Sequence, residues 1–102
     1  TGYFDGFKEI GAKLGPFDLA AVPVGAYEPS AMMKASHMNP EEAVQAALDV
    51  QANSAVAMHF GTFDLSDEPL SEPPLRFKAA AKETTLGATN SWVLDIGETR
   101  EF

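Results

Sequence analysis

The chain contains no cysteine. That excludes a disulfide framework, a thiolate nucleophile and any zinc site built on sulfur. Positive charge is also scarce: 7 Lys and Arg against 15 Asp and Glu leave a formal net charge of −8. A phosphate backbone is bound by clustered basic residues, so nucleic acid is an unsuitable partner. No polybasic segment is present to hold an anionic membrane. No apolar run approaches the length of a bilayer span, so no transmembrane segment is expected. Missing too are a Walker-type phosphate loop, a Gly-x-Ser-x-Gly elbow and a Cys–His pair, which removes support for a serine or cysteine hydrolase.

What remains is ordinary globular material, 45% hydrophobic and 22% charged over 102 residues. That length suffices for one small domain with a real core and is too short for two. There is no internal repeat and no low-complexity tract. The chain starts at Thr1 without a signal-type apolar stretch, and the expectation is a cytoplasmic piece of something longer.

Local signals predict the element order. Asp5 is a candidate N-cap for a helix carrying Phe7, Ile10 and Leu14 at helical spacing. Gly15-Pro16 stops it, with Gly15 expected in the left-handed position after the last turn. Leu19 to Val24 reads as a strand buried on both faces. Glu28-Pro29 opens a short helical segment carrying Met32 and Met33. Asn39-Pro40-Glu41-Glu42 combines an N-cap, Pro at the first helical position and a Glu that bonds back. Ala43, Val44, Ala47 and Leu48 then form one apolar stripe.

Ala55 to Met58 is the central strand, which delivers His59 where it ends and leaves Gly61 to turn the backbone. A long acidic loop runs from Gly61 to Glu72 and closes on Pro73-Pro74. Leu75 to Thr85 is the next helix, ended by Gly87, and Ser91 to Ile96 the next strand. Thr99 to Phe102 is expected to pair back as a hairpin. Strands alternating with crossover helices mean an α/β layer of three helices and about four strands. With helices on one side, a sheet face or edge is left bare, a liability in a free-standing domain.

Two imidazoles, His37 and His59, each follow strong local structure and are expected to meet at one end of the sheet. In α/β folds, ligands collect at the carboxyl ends of strands. There a histidine serves as metal ligand, general base or hydrogen-bonded core residue, and spacing leaves all three open. Asp64 and Asp67 could offer carboxylates from the loop, but nothing in their spacing singles them out, and a solvated surface is the ordinary reading of such a charge run. Met32, Met33 and Met38 suit either core packing or an apolar groove.

Four blocks in order carry a resemblance: Thr1-Gly2-Tyr3; Gly15-Pro16-Phe17-Asp18-Leu19-Ala20-Ala21-Val22-Pro23-Val24-Gly25-Ala26-Tyr27-Glu28-Pro29; His37-Met38-Asn39-Pro40-Glu41-Glu42-Ala43; and Met58-His59-Phe60-Gly61-Thr62-Phe63. Together they resemble the C-terminal part of the metallo-β-lactamase superfamily hydrolases. The branch they are most similar to is that of the N-acyl-phosphatidylethanolamine-hydrolysing phospholipase D and its bacterial relatives.

The resemblance implies half of a four-layered αββα sandwich, with residues 1–102 forming one partial domain. It implies two zinc ions in the intact enzyme. His59 matches the last histidine ligand, and Thr1-Gly2 the end of a Gly-Asp-Thr-Gly turn whose bridging Asp would fall before Thr1. His37 matches a histidine thought to place or protonate the substrate phosphate. The His-x-His-x-Asp-His motif that supplies most of the ligands is absent. The implied activity is therefore that of a metal-dependent phosphodiesterase acting on a phospholipid-like or other small phosphate ester. This chain alone is expected to be metal-free and inactive. Its expected partner is the missing N-terminal half of the domain or a second copy of itself. One alternative is a non-catalytic, self-associating α/β interaction module; another is metal-free acid–base chemistry by His37 and His59.

Overall fold

A computed structural model describes residues 1–102 as an α/β layer. The order is α1 (Gly6–Leu14), β1 (Phe17–Pro23), α2 (Ser30–Met33), α3 (Pro40–Asp49), β2 (Ala52–Met58), α4 (Glu72–Lys82) and β3 (Ser91–Trp92). The three strands form one parallel sheet in the order β1-β2-β3. No helix is long and apolar enough to cross a membrane.

The α3 signal is realised in full. The Glu42 amide donates to Asn39 Oδ1 at 2.8 Å, and the Asn39 amide donates to Glu42 Oε2 at 3.1 Å. Pro40 lies in the first turn, where its missing N–H has no intrahelical partner to lose. The stripe Ala43, Val44 and Ala47 then packs on Val22, Ala55 and Ala57 of the sheet, with Phe77 and Ala81 of α4 closing the core. Arg76 fastens the two helices together by a two-pronged bond to Glu41, 3.0 Å from Nε and 2.6 Å from Nη2.

Only one sheet face is covered in this way. Side chains alternate along a strand, so Ala20, Val22, Ala55 and Ala57 point to the helices while Leu19, Ala21 and Val56 point away. Leu19 and Val56 remain half-exposed and Ala21 exposed, so β1 is not buried on both faces as its apolar composition suggested. The bare face expected of half a sandwich is present.

Other expectations need correction. Thr99 to Phe102 forms no strand, and β3 stops at Trp92. A turn takes over instead, in which the Glu98 amide donates to the Asp95 carbonyl and the Asp95 amide to Glu98 Oε2, both at 2.9 Å. The tail then crosses Trp92, with the Arg100 guanidinium 4.4 Å from the indole centroid. Pro73 and Pro74 do not close a loop; they lie inside the first turn of α4, which begins at Glu72. Asp5 occupies the N-cap of α1 but makes no side-chain cap bond, pairing with Lys8 instead. Gly15 is extended (φ −77°) rather than left-handed. Its missing Cβ matters for another reason, since the carbonyl oxygens of Gly11 and Val50 press on that spot. Of the three methionines, Met38 is buried, Met33 half-buried and Met32 exposed, so the core reading holds in full for Met38 alone.

Candidate functional site

Parallel strands end together, and here β1 and β2 end at one rim. Pro23 pairs with Met58, and the Val24 amide extends the ladder by donating to the Met58 carbonyl at 3.0 Å. Gly25 then passes so close to the second strand that a Cβ would overlap the His59 carbonyl oxygen. Only glycine permits that approach. His59 itself has φ +62°, a left-handed backbone that a side chain rarely adopts and that functional sites often retain.

His37 reaches the same rim from another direction. The turn following α2 is closed by its amide, which donates to the Met33 carbonyl at 2.9 Å. The Asn39 cap of α3 begins two residues later. The two imidazoles end up with ring centroids 5.6 Å apart at an interplanar angle of 39°. His59 is exposed and His37 half-buried, with His37 Nδ1 fully enclosed and without a hydrogen-bond partner. The chain start also comes to this rim: a Cβ on Gly2 would press on the carbonyl oxygens of Lys34 and Ala35, just before His37.

The acidic loop after His59 has one buried member. Glu68 is only 7% exposed, and both its oxygens are used. Oε1 accepts from the Ala26 amide at 2.6 Å and the Ser66 hydroxyl at 2.8 Å, and Oε2 accepts from the Glu28 amide at 3.0 Å. Burial works to raise its carboxyl pKa, but the Ser66 hydroxyl and the backbone amides outweigh burial and hold it below the usual range. Glu68 thus clamps the loop onto the segment that follows β1. Between them lies a concavity of about 230 Å³ beside His59, walled by Phe60, Phe63, Leu65 and Leu70.

A second, smaller cavity of about 50 Å³ lies behind His37 and is bordered by Tyr27, Lys34 and Arg76. Tyr27 is only 4% exposed and its hydroxyl has no hydrogen-bond partner. The Arg76 guanidinium lies over its ring, 4.7 Å from the centroid. Burial, and behind it the Glu72 charge, pushes the Tyr27 hydroxyl up to about 12.

A catalytic zinc takes three protein ligands. No group of three His, Asp or Glu side chains able to hold a metal forms here, and Asp64 and Asp67 are exposed outside any such group. The donors in this chain therefore do not fit a complete metal site. His59 is one available arm.

Sequence reasoning brought His37 and His59 to one rim, and the structure does the same. It missed Glu68, Tyr27 and Arg76. Nothing in an acidic run separates a clamp from solvated neighbours. Tyr27 reads as an ordinary loop aromatic until its enclosed hydroxyl is seen.

Comparison with known proteins matches residues 1–60 to a family described as the beta-lactamase superfamily domain. The chain is 45% identical over 102 residues to N-acyl-phosphatidylethanolamine-hydrolyzing phospholipase D 1 of Caenorhabditis elegans, covering 96% of this chain and 28% of that protein. It is 48% identical over 85 residues to an uncharacterized protein of Mycobacterium tuberculosis, covering 80% of this chain and 22% of that one. A metal-dependent hydrolase of Listeria monocytogenes is 37% identical over 102 residues, spanning all of this chain and 37% of the relative. The chain thus spans well under half the length of these curated relatives.

Proposed function

The chain belongs to the beta-lactamase superfamily, and from that premise we propose that it works as the C-terminal part of a metal-dependent hydrolase of phosphate diesters. The observation that carries this reading is the pairing of His37 and His59, 5.6 Å apart at the carboxyl ends of two parallel strands. His59 is one metal ligand, and the remaining donors come from outside these residues. A pair of zinc ions, when bound, supplies an activated water and neutralises charge on a phosphoryl group.

The chain's own residues have separate tasks. His59, whose backbone is left-handed, lends a ring nitrogen at the rim. His37 Nε2 is not enclosed as Nδ1 is, and it donates to a phosphoryl oxygen of the substrate. The concavity beside His59 takes an apolar portion of the substrate against Phe60, Leu65 and Leu70, which suits a phospholipid-like ester. Glu68 keeps that wall in place. Similarity to a phospholipase D acting on N-acyl-phosphatidylethanolamine supports the substrate class.

The test is turnover of N-acyl-phosphatidylethanolamine by the full-length protein. His59→Ala is expected to abolish it. His37→Gln is expected to lower kcat by roughly 10²–10⁴-fold, the usual contribution of a positioned proton donor. Undiminished rates in both variants would refute the reading. A second reading, a self-associating module, draws on the bare sheet face of Leu19, Ala21 and Val56. On the proposed reading, the rest of the polypeptide covers that face. Sedimentation of the 102-residue chain beside the full-length protein separates the two: self-association that persists in the full-length protein favours the module.

A further inference from the structure

We propose that Glu68 is a positioning residue for His59, acting through the backbone of Ala26 and Gly25. The inference rests on the reading of His59 as a working side chain of the rim, and it adds what holds that side chain in place.

Glu68 lies in an acidic loop but, unlike Asp64 and Asp67, it is enclosed. Its two oxygens take the amides of Ala26 and Glu28, at 2.6 and 3.0 Å, so the turn after β1 is wrapped around one carboxylate. The Glu28 carbonyl in return accepts from the Asp67 amide at 3.1 Å. Ala26 needs such a hold. Its backbone is left-handed (φ +63°), a conformation in which a Cβ crowds the following carbonyl oxygen.

Gly25 carries the restraint across to the neighbouring strand. On one side of it, Val24 is buried and tied to the Met58 carbonyl; on the other, Ala26 is tied to Glu68. Gly25 is thereby fixed against the His59 peptide, so closely that a Cβ on it would overlap the His59 carbonyl oxygen and press on Phe60 Cα. His59 is left-handed as well (φ +62°). Two strained residues with side chains thus stand at adjacent strand ends, and the backbone of one segment backs the other. The direction of a Cα–Cβ bond follows from its backbone, so a fixed His59 peptide fixes where the imidazole starts. Glu68, Ala26, Gly25 and His59 all border the same concavity of about 230 Å³. The carboxylate, the relay and the ring therefore share one space.

The experiment pairs turnover of N-acyl-phosphatidylethanolamine with a ¹H–¹⁵N spectrum of the histidine-labelled full-length protein. Glu68→Gln keeps the size of the side chain and turns an NH₂ group toward an amide donor. It is expected to lower kcat roughly 10–100-fold with KM held, the effect of a displacement of about 1 Å at a reacting group. The His59 signals, assigned by their loss in His59→Ala, are expected to move while those of His37 stay. Adding Ala26→Gly, which tolerates the left-handed backbone without a clamp, is expected to restore part of the lost kcat. Raised KM with kcat held in Glu68→Gln confines Glu68 to the concavity wall and overturns the proposal. Unmoved His59 signals overturn it too, as does a loss of kcat that Ala26→Gly leaves untouched. Should Glu68→Gln not fold, Ser66→Ala, which removes one bond from the carboxylate, carries the same test on the His59 signals with a smaller shift. If His59→Ala keeps full turnover while the parent's His59 signals still follow Glu68, the reading of His59 fails and the positioning stands.

Discussion

The two faces of the sheet are finished to different degrees. On one, Val22, Ala55 and Ala57 meet a complete layer of α3 and α4, and Phe77 at its centre is fully buried. On the other, Leu19, Ala21 and Val56 come from the same strands and are comparably apolar, yet solvent reaches them. One strand thus carries both a packed core and an unpartnered surface, separated only by side-chain alternation. The difference teaches that one face of this layer is finished within the chain and the other is not; on the proposed reading, the rest of the polypeptide covers it. Both histidines lie together at the rim of this layer, 5.6 Å apart, which on the proposed reading is where donors from outside the chain meet them.

Substitutions that act on one face at a time sharpen the contrast. Phe77→Ala opens a cavity in the covered face and is expected to cost about 3–5 kcal/mol in denaturant unfolding. Val56→Thr on the open face is expected to stay within about 0.5 kcal/mol in the 102-residue chain. The same change in the full-length protein, with the face covered, buries a hydroxyl and is expected to cost about 1–3 kcal/mol. Equal, small costs of Val56→Thr in both forms would break the comparison.

Next in size is the Glu68 clamp at the rim. Its folded pKa lies below the ordinary 4.5, so its stabilisation is present above that value and is lost as pH falls through the depressed folded value. Glu41, lowered against burial by its Arg76 bond, adds a contribution of the same sign. Stability measured from neutral pH downward is therefore expected to drop in the acid range. Glu68→Gln should flatten that drop and loosen the loop's amide protection, and an unaltered acid limb would exclude Glu68 as its source. Smallest is His59→Gly, which relieves a left-handed backbone (φ +62°) and is expected to raise stability by up to about 1 kcal/mol while removing the ring.

Legibility in the sequence followed the range of the interaction. The Asn39–Glu42 box and the α3 stripe are local, and they were readable because capping and periodicity span only a few residues. The alternation of strands and helices sufficed for the parallel layer and for its bare face. Pro73 and Pro74 misled because proline serves equally well as a loop terminator and as a first-turn helix residue. The tail failed as a hairpin because the Asp95–Glu98 turn and the Arg100–Trp92 stacking, both set by tertiary placement, draw it over the sheet. The meeting of His37 and His59 was legible from topology alone. Glu68 and Tyr27 were not, since the backbone amides that Glu68 holds lie 40 or more residues away and only the fold lays Arg76 over the Tyr27 ring.

The central claim is that His59 is one arm of a metal site completed from outside this chain. Elemental analysis of the purified full-length protein beside its His59→Ala variant tests it most directly. The account predicts tightly held zinc in the parent and loss of at least one equivalent in the variant. Identical zinc content in the two would contradict it.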